Sequence, residues 1–287
     1  MIKSLIPTFI KEFIWQSEQF WRRQTGGLRL LPNFIIIGAQ RCGTTTLYHY
    51  LVQHPQVAEA SVKEVHYFDL DFTKGTPWYR SHFITSIYKS YIERVTKRNL
   101  LVGEASPYYI FHPHVPKRVA QLLPSAKLIL LLRNPVDRAY SHYYNEIRWG
   151  FETVSSFEKA IDIEAERLAG EVDKMMADEH YYSYNHHHFS YLARGIYLEQ
   201  VERWLKFFDR EQLLILKSED FYRQTPAVFK QVLDFLNLPT WELPNYKNYN
   251  RADNPKIAPL TRKRLLDYFA PHNRRLTEYL GDNFDFN

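Results

Sequence analysis

Cysteine is almost missing from this sequence, with Cys42 the only one among 287 residues. One thiol forms no intrachain disulfide and supplies no zinc-binding cysteine framework, so disulfide-stapled folds and cysteine-based zinc modules are excluded and a reducing, cytoplasmic setting is expected. Long apolar runs are missing too. No stretch approaches the ~20 apolar residues of a membrane-spanning helix, and no small-residue cleavage site follows the first apolar segment, so neither a span nor an export signal is read. Glycine is scarce, at 10 residues. Without a Gly/Ser-rich linker or an internal repeat, the chain reads as one main domain, residues 28–287, behind an N-terminal helix, residues 1–27. Blocks of like charge are absent as well. The net charge of +5 is dispersed and carries no nucleic-acid-binding signature, so nucleic acid is not expected as a partner and the positive balance is assigned to a small acidic ligand.

What the chain does contain begins with NFIIIGAQRCGTTTLYHYL. Phe34 to Ile37 read as a buried strand, GAQRCGTTT as a phosphate-cradling loop, and the remainder as a helix. Gly38 and Gly43 bracket a turn whose backbone N–H groups can converge, while Thr44, Thr45 and Thr46 bring hydroxyls to the positive end of the helix. ATP-binding loops carry Lys after the second Gly; Thr44 stands there instead, and the nearest cation is Arg41. The loop therefore suits phosphate without suiting ATP and magnesium, although a P-loop kinase or other phosphotransferase stays open as the competing reading. Cys42 lies inside this loop, where an acidified thiol is expected without a nucleophilic role.

A second apolar run, Leu128 to Leu132, ends on Arg133 and turns at Pro135 into another helix. Strand ends in open α/β sheets face the ligand crevice, so Arg133 and the Gly38 loop are expected to share one cleft. Ser141 follows about two helical turns later. An Arg and a Ser suit a second phosphate; a capping Arg and a packing Ser are the alternative.

One phosphate loop plus a separate Arg and Ser pair implies a nucleotide phosphorylated at two places. On these residues the chain resembles the sulfotransferases that use 3′-phosphoadenosine 5′-phosphosulfate (PAPS), in the branch of the heparan sulfate sulfotransferases and their bacterial relatives. KEVHYFD from Lys63, GEASPYYIF from Gly103, RGIYLEQVERWLKFF from Arg194 and the terminal LLDYFAPHNRRLTEYLG carry the resemblance further, so that it covers about Asn33 to Gly281. It implies PAPS as donor and no required metal, with the phosphosulfate on Arg41, Cys42, Gly43, Thr44, Thr45 and Thr46 and the 3′-phosphate on Arg133 and Ser141. It implies Glu64 as general base, with Lys63 and His66 beside it. His66 is the rival base, because cytosolic relatives use His. If VHYF is a strand, residues 64 and 66 share a face, and burial among aromatics is expected to raise the Glu64 pKa. The family's Glu-Lys-Thr/Ser-Pro pattern is GEASP here, so Ala105 removes a cation; Glu104 is the nearest candidate for a metal-holding carboxylate. Ser218 falls where cytosolic relatives place an adenine-contacting aromatic, and Arg251 and Lys256 fall in the loop expected over the 3′-phosphate.

The expected fold is α/β, a P-loop-type three-layer sandwich with a central parallel sheet flanked by helices. Strands are expected near 34–38, 65–68, 100–104, 127–132 and 212–217, with helices near 44–53, 115–122, 135–149, 195–208, 225–236 and 258–280. Residues 152–194 read as a lid or acceptor-binding insertion. The acceptor is expected to be a hydroxyl or amine of a carbohydrate or glycolipid, with a lipid or other small alcohol as the alternative; an aromatic content of 16% suits a sugar-binding cleft. Ile2, Leu5, Ile6, Phe9, Ile10, Phe13 and Ile14 recur with helical spacing and point to peripheral membrane contact through residues 1–24, or to packing on the domain or on a partner subunit.

Overall fold

A computed structural model describes residues 17–18, 20–247, 249, 254–281 and 284–286. Most of the expected amphipathic segment, residues 1–16, lies outside them. The elements run β1 (Phe34–Gly38), α1 (Thr44–Leu51), β2 (Val57–Ala58), α2 (Gly75–Ser81), α3 (Ser86–Thr96), β3 (Leu101–Ala105), α4 (Val115–Leu122), β4 (Lys127–Leu132) and α5 (Pro135–Trp149). Four short helices follow, α6 (Phe157–Asp162), α7 (Glu164–Leu168), α8 (Glu171–Ala177) and α9 (Tyr184–His188), and then α10 (Tyr197–Leu205), β5 (Leu213–Lys217), α11 (Ser218–Arg223), α12 (Thr225–Phe235) and α13 (Pro259–Leu280).

The strands form one sheet in the order β2-β3-β1-β4-β5, and every pairing is parallel. Phe34 pairs with Gly103 on one side and Lys127 on the other, so β1 is central. Uninterrupted apolar sequence is what such a strand requires, because helices cover both of its faces; Phe34 to Ile37 and Leu128 to Leu132 are wholly inaccessible to solvent. The α/β sandwich therefore stands as read from the sequence.

One strand does not. Residues 65–68 form no ladder but a turn entered through positive φ values of 63° at Glu64 and 54° at His66. Tyr67 and Phe68 are both buried, where an alternating strand would hide one of them. Tyr67 stacks on Tyr79 at 4.5 Å between ring centroids, and Phe68 meets the same ring edge-on. Burial of two adjacent aromatics beneath α2 overrides the two-residue period. The sheet's outer strand is the two-residue β2 instead.

Candidate functional site

The parallel order brings the carboxyl ends of β1 and β4 side by side, and a cleft with a volume near 990 Å³ opens there. Gly43 begins α1 with φ of +96°, and a Cβ there would lie 2.8 Å from the Tyr222 hydroxyl oxygen. Glycine is thus required by conformation and by close approach together. The first amides of α1, at the positive end of the helix dipole, give that end of the cleft partial positive charge. Thr44 and Thr45 line it. Thr46 is turned inward: its hydroxyl donates to the Tyr249 carbonyl at 3.1 Å and accepts from the Tyr249 amide at 3.2 Å. Ser218, at the start of α11, donates its hydroxyl to the Cys42 carbonyl, so it braces the loop as well as lining the cleft. The expectation of an acidified Cys42 is overturned. Its thiol is buried, and burial pushes it up to about 11 despite the nearby Arg138 and Arg133.

Arg41, at φ of 69°, reaches across the cleft to α5. Its Nε donates to Ser141 Oγ at 3.1 Å and its Nη1 to Asn145 Oδ1 at 3.0 Å. Burial lowers its pKa, with Arg148 and Arg133 adding repulsion. Arg133, at the end of β4, donates through Nη1 to the Arg41 carbonyl at 3.2 Å. Asn134 caps α5 by accepting from the Val136 and Asp137 amides, and Pro135 occupies the first turn. Arg41, Arg133 and Ser141 therefore meet at one wall. Asn145 was missed, although it sits four residues after Ser141 on the same helical face.

At its β3 end, beside the phosphate loop, the cleft is lined by Glu64 and Pro107: the Glu64 amide donates to the Ala105 carbonyl at 3.1 Å, and a Cβ on Gly38 would lie 3.2 Å from the Pro107 carbonyl oxygen. Lys63 Nζ is ion-paired with Glu64, and His66 Nε2 lies 3.5 Å from Glu64 Oε2. Asp69 accepts from His66 Nδ1 at 2.8 Å. Burial would raise the Glu64 pKa, but the hydrogen bond from His66 and the charge of Lys63 outweigh it and hold the carboxyl at about 2. The expected upward shift is thus corrected: burial is present, and two cations win. Burial likewise disfavours charged His66, yet Asp69 and Glu64 hold the imidazolium up to about 10. Glu64 and His66 do converge, by the left-handed turn rather than by strand alternation. Asp69, three residues beyond His66, was missed.

Glu104 lies beneath this turn. It accepts from Tyr79 Oη at 2.5 Å, Tyr109 Oη at 3.3 Å and Ser106 Oγ at 2.9 Å, and burial raises its pKa to about 7. Ser106 Oγ also accepts from the His66 amide at 3.2 Å. Glu104 is a buried support, and among the described residues no group of metal-ligating side chains gathers around it.

Arg194 opens the RGIYLEQVERWLKFF segment. It is buried, donates to the Gln40 side chain, to Ser190 Oγ at 2.8 Å and to the His186 carbonyl at 3.1 Å. It thereby ties residues 184–190 to the phosphate loop. His188 Nδ1 in turn bonds Glu146 Oε2 at 2.7 Å. Arg251 lies outside the described residues. Lys256 is exposed and does not line the cleft, whereas Asn254 does. Tyr222, over Gly43, and Trp149, 69% exposed at the end of α5, are aromatic lining that the sequence reading did not single out.

Three comparisons bear on this geometry. A sulfotransferase domain family matches residues 31–268. A membrane-associated sulfotransferase of Dictyostelium discoideum is 30% identical over 90% of this chain and 67% of its own length. A heparan sulfate glucosamine 3-O-sulfotransferase of Mus musculus is 28% identical over 88% of this chain and 72% of its own. Among solved structures, a sulfotransferase from Alicyclobacillus acidocaldarius superposes with a TM-score of 0.65 at 31% identity, covering 88% of this chain and 96% of that one.

Proposed function

The chain belongs to the sulfotransferase domain family and is an enzyme of that kind, and from that premise we propose that it carries the sulfuryl group of PAPS to a hydroxyl or amine of a carbohydrate or glycolipid. The single observation that carries the reading is the placement of Arg41, Arg133 and Ser141 around the Gly43 turn, with Glu64 lining the same cleft. That spacing suits a donor phosphorylated at both ends and an acceptor entering beside the carboxylate. Tyr222, standing over Gly43, is our candidate for base contact in place of Ser218, and Cys42 contributes its backbone only.

In the proposed reaction the acceptor oxygen attacks sulfur, the bond from sulfur to the phosphate oxygen breaks, and the acceptor proton passes to Glu64. The leaving phosphate keeps the electron pair, which Arg41 and the amides opening α1 neutralise. Glu64 is ionised at neutral pH because His66 and Lys63 hold it so. Asp69 keeps His66 protonated, so the imidazole orients Glu64 and is not itself free to act as base. No step calls for a metal ion.

The carbohydrate acceptor rests on the relatives' names, and peripheral membrane contact through residues 1–24 rests on the amphipathic spacing and on the membrane-associated relative. A reducing compartment rests on the single cysteine. The test is thermal stabilisation. We expect 3′,5′-ADP to raise the melting temperature and ATP with magnesium to leave it unchanged; the reverse would favour a phosphotransferase. A screen of glycan and glycolipid acceptors with labelled PAPS then identifies the acceptor.

A further inference from the structure

Helix α3 is built inside out. It buries no side chain, and what holds it to the protein is polar. Lys89 donates to Asn99 Oδ1 at 3.1 Å and to the Leu100 carbonyl at 2.8 Å, while Glu93 accepts from the Leu100 amide at 2.8 Å. Ser86 Oγ donates to the Leu28 carbonyl at 3.2 Å. The apolar side chains point the other way: Ile87, Tyr91 and Val95 recur every fourth residue and are 71%, 62% and 62% exposed. A helix of a water-soluble fold ordinarily turns that stripe toward the core.

The stripe continues onto residues 20–28, where Trp21 is 65% and Leu28 57% exposed. The two segments are joined, since Leu30 N donates to the Ile84 carbonyl at 3.0 Å and Arg29 Nη1 to the Phe83 carbonyl at 2.6 Å. The charge of this edge is one-sided. Segments 17–31 and 84–98 hold seven Arg and Lys against two carboxylates, and both carboxylates, Glu18 and Glu93, are already paired with Arg22 and Lys89. That surplus equals the net charge of the whole chain, +5, so the remainder is balanced and the asymmetry is local.

We propose that this edge, the outer face of α3 with residues 20–28, seats on an anionic lipid bilayer. Aliphatic side chains would enter the headgroup boundary, Trp21 and Tyr91 would sit at its level, and Arg23, Arg94, Lys97 and Arg98, all exposed, would meet the lipid charge. Charge complementarity selects the occupant: an apolar protein partner would leave these cations without counter-charge. The inference goes beyond contact through residues 1–24, because it gives α3 a role that the amphipathic N-terminal segment does not require. It also stands apart from the acceptor reading, since none of these residues lines the cleft.

The experiment is flotation of the full chain with phosphatidylcholine vesicles, with and without phosphatidylserine, for the wild type, for Ile87→Ser/Tyr91→Ser/Val95→Ser, and for a chain lacking residues 1–16. We expect the wild type to float with the anionic vesicles in a salt-sensitive way and the triple variant to bind roughly tenfold less. The truncated chain should retain part of the binding, and adding the triple substitution to it should remove that part. Stabilisation by 3′,5′-ADP should be equal in all four proteins, which separates this outcome from failure of the sulfotransferase reading. Wild-type flotation by the triple variant would overturn the proposal. So would a wild-type dimer that the triple substitution dissolves, which would make the edge a contact between copies. A lower melting temperature in the triple variant, matched by truncation, would show residues 1–16 covering the stripe and would likewise overturn it.

Discussion

The two ends of the cleft are made in different ways. At the phosphate-loop end the positive charge comes from backbone amides at the start of α1, in a turn that needs Gly43, and from the permanently charged guanidiniums of Arg41 and Arg133. At the Glu64 end it comes from side chains, with Lys63, Glu64, His66 and Asp69 in one run of alternating charge on a left-handed turn. Backbone polarity is fixed once the fold is fixed. A side-chain array depends on each neighbour's protonation, so this end should be the one that substitution and pH disturb most.

The largest expected effect is at Glu64. Glu64→Gln preserves shape and removes the proton acceptor, and general base catalysis contributes about 10²–10⁴-fold. Transfer from labelled PAPS should fall by that order, with 3′,5′-ADP stabilisation unchanged. Full activity in the variant would reassign the base. At the other end Arg133→Ala should show the opposite split: affinity for 3′,5′-ADP about 10–100-fold weaker, the loss of one charged hydrogen bond, measured by calorimetry. Equal affinity would place the second phosphate elsewhere.

A smaller effect tests the seam between the two ends. A Cβ on Gly103 would lie 2.1 Å from Cζ of Phe34, and that ring belongs to a side chain with no solvent exposure at the centre of the sheet. Gly103→Ala should cost about 1–3 kcal/mol by overpacking, read as a lower denaturation midpoint at unchanged slope. Because β1 leads to the phosphate loop and β3 to Ser106 under the Glu64 turn, both ends should loosen together.

The same contrast explains what could be read from sequence. Phe34 to Gly38 and Leu128 to Leu132 are unbroken apolar runs, and nothing but a strand covered on both faces fits them, so the sheet and the placement of Arg133 beside the Gly43 turn were legible. Residues 63–69 were not. VHYF satisfies a two-residue period on paper, but the period is broken by the burial of Tyr67 and Phe68 under Tyr79, a contact between segments that no local pattern announces. The sign of the Glu64 pKa shift failed for a related reason: burial was foreseen, while the second carboxylate that keeps His66 charged was not. Thr46 and Lys256 show the limit of reading a loop by residue type. A hydroxyl in the loop motif was spent on the Tyr249 backbone, and a basic residue in the right neighbourhood pointed to solvent.

Asp69→Asn gives the finest test. The His66 pKa is raised on folding, from 6.5 to about 10, so its pairing stabilises the fold fully below pH 6.5 and that contribution is lost as pH rises through 10. Glu64 has the opposite sign: lowered from 4.5 to about 2, it contributes fully above pH 4.5 and loses its contribution as pH falls toward 2. Between 4.5 and 6.5 both are in place. Asp69 is the larger source of the His66 shift, and its replacement by a neutral isostere should leave Glu64 alone to hold the imidazolium. The stability gap between wild type and variant, from urea midpoints, should therefore be widest below pH 6.5 and close progressively toward 10. A gap independent of pH across that range would mean that Asp69 acts only through its contact with the Leu70 amide, at 2.7 Å, and that the imidazole is neutral. His66 would then regain its standing as a base, and the Glu64 end of the cleft would rest on one charged pair where the structure places three.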